Sequence, residues 1–238
     1  MLHYQCSLDM QHGIAHTSHI MRDNTTRTEW HHRALGSTHI IITPLDDIPV
    51  GNDNFLTSDD MAVISELGCD KRKREQATWR NALRKLLATF GNDWEHSPIA
   101  YLPVGAPYLT ECPLHIGVSH TSAHAAIIVS ERPCAIDIEQ LGRCFSRIAS
   151  RYLSSDEYKK YGDTLLPETW CAKETLYKVS GRNGLKLTSD LQIIASDNGT
   201  LTGAIHQPDG TWNKYLLHTF RHADTVCVWT DSMISKGI

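Results

Sequence analysis

The chain has 238 residues, 41% of them hydrophobic and 21% charged, with a formal net charge of −4. That length suits one large domain or two small halves sharing an interface, and the balance excludes wholesale disorder and collagen-like sequence. A net-acidic chain is a poor general coat for polyanions, so any basic chemistry has to be concentrated in a patch.

No stretch approaches the roughly 18 apolar residues of a membrane-spanning helix. Met1 to Ser18 has no basic segment leading into an apolar core, so no signal peptide is expected. Seven cysteines, at 6, 69, 112, 134, 144, 171 and 227, are odd in number, widely spaced and without a Cys-x-x-Cys pair. This points to a reducing cytoplasm and not to a disulfide framework or a zinc ribbon.

Residues 1–36 read as a polar, His-rich leader, loosely ordered or packed onto the rest. It holds His3, His12, His16, His19, His31 and His32, six of the fourteen histidines. His12, His16 and His19 would share a face on a helix and could there hold a metal, although no acidic or cysteine partner lies at a useful spacing. From Thr38 a β-rich run leads to Pro44. Asp59 to Gly91 reads as mostly helical, with Trp79, Leu83, Leu86 and Leu87 at helical spacing. Residues 96–113 look like loop, and strands are expected over Leu114 to Ser119 and Ala125 to Ser130.

The second half opens with the strand Ala135-Ile-Asp-Ile-Glu. A helical stretch at Arg147 to Leu153 and a helix-start signal at Ser154-Ser-Asp-Glu follow. Glu168 to Ser180 is a helix ended by Gly181, and strand-like runs follow at 191–195, 201–206, 215–220 and 226–230. The halves echo each other. Thr57-Ser-Asp-Asp leads to a helix with Trp79-Arg-Asn-Ala-Leu-Arg-Lys, and Ser154-Ser-Asp-Glu leads to one with Trp170-Cys-Ala-Lys-Glu-Thr-Leu-Tyr-Lys.

Four elements carry chemistry. On the strand, Asp137 and Glu139 share one face, roughly 7 Å apart, and could serve a hard divalent cation or simply form a solvated acidic face. On the helix, Trp170, Glu174 and Lys178 lie one turn apart, a carboxylate beside an ammonium, which is also what a surface ion pair looks like. The turn at Ser119-His120-Thr121-Ser122 offers hydroxyls, backbone N–H groups and an imidazole as an anion cradle. Ser119 and His120 are poorly placed to act as a nucleophilic pair, because neighbours on a strand point to opposite faces. The basic run Lys71-Arg72-Lys73-Arg74, continued by Arg80, Arg84 and Lys85, suits a compact polyanion or a solvated helix face.

In this order, the basic helix, Val-Ser-His, Ile-Asp-Ile-Glu and Trp-x-x-Lys-Glu-x-x-x-Lys resemble the 4′-phosphopantetheinyl transferase superfamily. The likeness is to its longer, surfactin-synthetase-activator type, over about residues 57 to 195. It implies an α+β fold of two similar α/β halves in a pseudo-twofold relation, with the active site at their interface. The leader, 1–36, would precede an N-terminal half, 37–133, that grips nucleotide phosphate. A C-terminal half, 134–238, would carry the metal carboxylates and the catalytic helix.

The activity so implied is transfer of the phosphopantetheine arm of coenzyme A to a serine of an acyl or peptidyl carrier protein, with release of adenosine 3′,5′-bisphosphate. Asp137, Glu139 and Glu174 would bind Mg²⁺ at the coenzyme A pyrophosphate. Glu174 would also accept the serine proton, and Lys178 would neutralise pyrophosphate charge. Lys71, Arg74, Arg80, Ser119, His120 and Thr121 would hold the nucleotide. A cytoplasmic monomer without nucleic-acid or membrane partners is expected. Gly105-Ala106-Pro107 stands where the family usually has Gly-Lys-Pro, and Tyr101 and Leu102 stand where a basic residue is common. That departure leaves a non-catalytic coenzyme A or carrier-protein binder of the same fold as the alternative, with an unrelated Mg²⁺-dependent phosphohydrolase behind it.

Overall fold

The computed structural model describes residues 3–11, 14–22, 29–45, 54–162, 164–197, 199–222 and 224–235. The chain is a mixed α and β protein of two compact units, one of residues 1–100 and 107–131, the other of 101–106 and 132–238. Among the described residues no helix is long and apolar enough to cross a membrane.

The first unit runs β1 (His3–Gln11), β2 (Ile14–Arg22), β3 (Glu29–Leu35), β4 (Thr38–Pro44), α1 (Ser58–Ser65) and α2 (Asp70–Ala88). It continues with β5 (Ile99–Tyr101), β6 (Pro107–Leu109), β7 (His115–His120) and β8 (His124–Ser130). Six strands form one antiparallel sheet in the order β1-β2-β3-β4-β8-β7, and β5 pairs with β6 in the stretch expected to be loop. The His-rich leader therefore carries three strands of this sheet. His16 and His19 lie on strand β2, so the helical spacing that would gather them does not arise, and His12 falls outside the described residues.

The core of this unit is α2 laid on the sheet, with Trp79, Ala82, Leu83, Leu86 and Leu87 against Ile41, Ile116, Ile127 and Val129. Two cations of α2 are also inside it. Arg80 and Arg84 are buried against Asp60 of α1, with N–O distances of 2.8 Å each. Asp60 is placed by its own helix start: Thr57 caps α1 and accepts the Asp60 N–H, while the Asp60 carboxylate accepts the Thr57 N–H.

The second unit runs β9 (Ala135–Gln140), a 3-10 stretch at Phe145–Arg151, α3 (Ser155–Tyr161), α4 (Leu166–Ser180), β10 (Leu191–Asp197), β11 (Thr200–His206), β12 (Trp212–His222) and β13 (Thr225–Ser235). Its five strands are antiparallel in the order β10-β11-β12-β13-β9. Helix α4 starts with a proline in its first turn and stops at Gly181, whose φ of 61° is the left-handed conformation that favours glycine. Cys171, Ala172 and Leu176 of α4 pack on Leu201, Leu217, Val226 and Val228. Gly203 of β11 lets the helix come this close. A Cβ there would stand 2.7 Å from Leu176 Cδ1 and 2.8 Å from Leu217 Cδ1.

Candidate active site

Strand β9 sorts its side chains by alternation. Ile136 and Ile138 are fully buried, and Asp137 and Glu139 occupy the other face. In register with β13, Asp137 lies opposite Val228 and Glu139 opposite Val226, the two valines on which α4 packs. The carboxylates therefore face α4. Along α4 the residues Trp170, Glu174 and Lys178 recur every four positions, so they form one stripe about 12 Å long.

The stripe and the strand run in opposite senses. Lys178 Nζ donates to Asp137 Oδ1 at 2.7 Å and to the Ile136 carbonyl at 2.9 Å. One end of the stripe is fixed there. At the other end Trp170 Nε1 donates to Glu139 Oε1 at 3.0 Å. Glu174 lies between these two anchors on the helix and is half-buried. Burial, and then the neighbouring charges of Asp137 and Glu139, raise its pKa above the ordinary glutamate value, against the opposing pull of Lys178 and Arg143. Three carboxylates thus share one electrostatic neighbourhood.

Residues 133–228 match the family model described as the 4′-phosphopantetheinyl transferase superfamily. Over this segment the chain is similar to that superfamily. No curated protein matches the chain. The activity the family carries is, in general terms, phosphopantetheine transfer, and the matched stretch holds the whole β9–α4 arrangement just described.

The donor set fits the divalent cation that such a transferase uses: hard carboxylate oxygens, one of them destabilised as an anion by burial and then by the other two. They are not yet gathered. Among the described residues no three His, Cys, Asp or Glu side chains stand close enough to hold a metal ion. Lys178 holds Asp137, and Arg143 Nη1 holds Glu139 Oε1.

The expected phosphate residues of the first unit have different surroundings. Lys71 and Arg74 are exposed on α2. His120, at the end of β7, is 3.8 Å from Glu75, and Lys71 approaches the same carboxylate at 3.7 Å, so Glu75 joins two of the expected residues. Ser119 is buried. Thr121 Oγ1 accepts the N–H groups of Ala123 and His124 and closes the β7–β8 turn. Arg80 is elsewhere. It is 2% exposed and its guanidinium faces Asp60 and Gln76, which makes it a structural cation in this arrangement. The Gly105-Ala106 segment forms a turn closed by hydrogen bonds from Leu102 N–H to Ala106 O and from Gly105 N–H to Leu102 O.

Three neighbours of the expected residues were not singled out from the sequence. Asp60 carries a signal, because the third residue of a capping box is a placed carboxylate. Glu75 has none beyond its distance of four from Lys71. Arg143 has none at all. Its guanidinium stacks on Trp170, 4.7 Å from the ring centroid, as it reaches Glu139.

Proposed function

We propose that this protein moves the 4′-phosphopantetheine arm of coenzyme A onto a serine of an acyl or peptidyl carrier protein and releases adenosine 3′,5′-bisphosphate. The observation that carries this reading is the β9–α4 stripe: Asp137 and Glu139 facing Glu174 and Lys178, within the segment that matches the transferase family. Mg²⁺, held by Asp137, Glu139 and Glu174, would neutralise pyrophosphate charge.

The remaining chemistry belongs to the chain. The serine oxygen attacks the phosphorus that bears pantetheine, a Ser O–P bond forms, and the bond to the bridging pyrophosphate oxygen breaks. The adenosine bisphosphate leaves with that electron pair. Glu174, whose basicity is increased by burial and neighbouring carboxylates, accepts the serine proton directly or through a water. Lys178 stabilises negative charge on the pyrophosphate. Lys71, Arg74, Ser119, His120 and Thr121 hold the nucleotide phosphates, with Glu75 orienting Lys71 and His120. We leave Arg80 out of this set because it is buried against Asp60. The capping-box start followed by a long helix, found in both halves, supports reading them as repeats of one design.

The test is intact-mass spectrometry of a panel of apo carrier proteins incubated with this protein, coenzyme A and Mg²⁺. The expected result is a gain of one phosphopantetheine, abolished by chelator and lowered by Glu174→Gln at least about 100-fold with the fold unchanged. Wild-type turnover in that variant would overturn the role of Glu174. Ala106, standing in a turn where the family usually has lysine, favours one other reading: a non-catalytic binder of coenzyme A or carrier. Tight coenzyme A binding by calorimetry, with no mass gain on any carrier, would select it.

A further inference from the structure

The carboxylates of β9 are engaged by cations of the chain itself, and the two engagements differ. Lys178 is tied twice, to Asp137 and to the Ile136 carbonyl. Arg143 is tied to its carboxylate alone, at a surface position with 41% of its side chain and 21% of that of Glu139 exposed. An exposed pair of this kind is worth at most about 1 kcal/mol, so it yields easily to a stronger cation. Glu139 would not then be stripped of support, because the Trp170 indole N–H also donates to it.

Arg143 is also held in place by something other than charge. Its guanidinium lies 4.7 Å from the Trp170 ring centroid and 5.8 Å from that of Phe145. These rings keep the planar head beside the site independently of its ion pair. Asp137, Glu139 and Glu174 against Lys178 and Arg143 leave one net negative charge. A divalent cation turns this into one net positive charge and sets a guanidinium free at its edge. A guanidinium fork matches phosphate oxygens better than any other side chain.

We propose that Arg143 is a further substrate-binding residue: the resident counter-ion of Glu139, which gives up that carboxylate to the divalent cation and pairs with the pyrophosphate of the incoming coenzyme A. The inference rests on the transferase reading above. It makes metal and coenzyme A binding cooperative through a residue outside the Asp-x-Glu and Trp-x-x-Lys-Glu motifs.

The test uses the full chain and two binding readouts, neither of them turnover. Mn²⁺ affinity is read from the electron paramagnetic resonance signal of free aqueous manganese, without any anion. Coenzyme A affinity is read by calorimetry at saturating Mn²⁺. Arg143→Gln is expected to tighten Mn²⁺ binding by up to about fivefold, the worth of an exposed ion pair. The same variant should weaken coenzyme A binding by about tenfold or more, the worth of a charge-assisted hydrogen bond. Arg143→Lys keeps the charge without the fork. It should bind Mn²⁺ as the wild type does and recover only part of the coenzyme A affinity.

Opposite signs for the two changes in Arg143→Gln support the proposal. Changes of the same sign, or none, overturn it while leaving the transferase reading intact. Should Arg143→Gln fail to fold, as judged by circular dichroism, the lysine variant decides the matter, and unaltered coenzyme A affinity there overturns the proposal. Wild-type protein that binds neither Mn²⁺ nor coenzyme A would sink the transferase reading and this inference together.

Discussion

Helices α1 and α2 of the first unit and α3 and α4 of the second begin alike and then diverge in their use of charge. Each short helix opens with a capping box, Thr57 with Asp60 and Ser154 with Glu157. In each, the acid of that box reaches a buried cation on the following long helix: Asp60 holds Arg80 and Arg84, and Glu157 holds Lys173 at 2.7 Å. The cations in turn bind chain that follows their own helix. Arg84 donates to the carbonyls of Glu95 and Ser97, and Lys173 to those of Leu187 and Leu191.

The difference lies in what remains. Helix α2 buries both of its central arginines in this lock. Helix α4 buries one lysine and keeps Glu174 and Lys178 beside β9. Adjacent helical residues differ by about 100° around the axis, so fixing Lys173 inward turns Glu174 toward the strand carboxylates. The lock on α4 thus sets which side of the helix faces the strand carboxylates, whereas the lock on α2 serves its own unit.

Asp60→Ala should break the comparison most severely. It leaves two buried guanidinium groups without their carboxylate, a loss of about 3–5 kcal/mol by urea unfolding. The lock is also sensitive to acid. Burial pushes the Asp60 pKa up, but hydrogen bonding to Arg84 and the charges of Arg84 and Arg80 outweigh it and hold the value below the usual aspartate range. A depressed carboxylate pKa stabilises the fold above the unfolded value and loses that contribution as pH falls through the folded one. Unfolding curves of wild type and Asp60→Asn should therefore differ most near neutrality and converge below the ordinary aspartate pKa. Parallel curves down to strong acid would mean that Asp60 is not the anion holding the arginines.

Lys173→Met should cost less, about 3 kcal/mol. Only one carboxylate is orphaned, and Glu157 still accepts the N–H groups of Ser154 and Ile193. Because Lys173 fixes the rotation of α4, carrier modification should fall further than the loss of folded protein explains, which mass spectrometry at a temperature well below the unfolding midpoint reads directly. Equal losses in stability and turnover would reduce Lys173 to a core residue. Thr57→Ala and Ser154→Ala probe the shared beginning and carry the smallest effect, about 1 kcal/mol each. Similar values by thermal unfolding sharpen the likeness of the two starts, and a marked difference limits it to sequence.

Several of these features can be read without coordinates. The helix starts at Thr57 and Ser154 follow from capping chemistry, and the end of α4 follows from Gly181, because both are local in sequence. The shared face of Asp137 and Glu139 follows from strand alternation. The leader was harder. Its strands depend on pairing with one another and, through β3, with β4, and a polar sequence does not announce a partner. Arg80 shows the opposite limit. A basic residue on a basic helix reads as surface charge until the structure brings Asp60 to it from twenty residues away.

What the sequence by itself determined is the set of groups and their periods: two carboxylates on one side of a strand, and a tryptophan, a glutamate and a lysine on one side of a helix. Those periods are properties of the backbone and need no neighbour. Only the tertiary structure decided that the two sides face each other, that Lys178 and Arg143 sit on the carboxylates, and which cations are buried in locks. Ion pairing and burial depend on distances between segments far apart in the chain, and those distances are set by core packing, as where Gly203 admits Leu176 and α4 settles over β13.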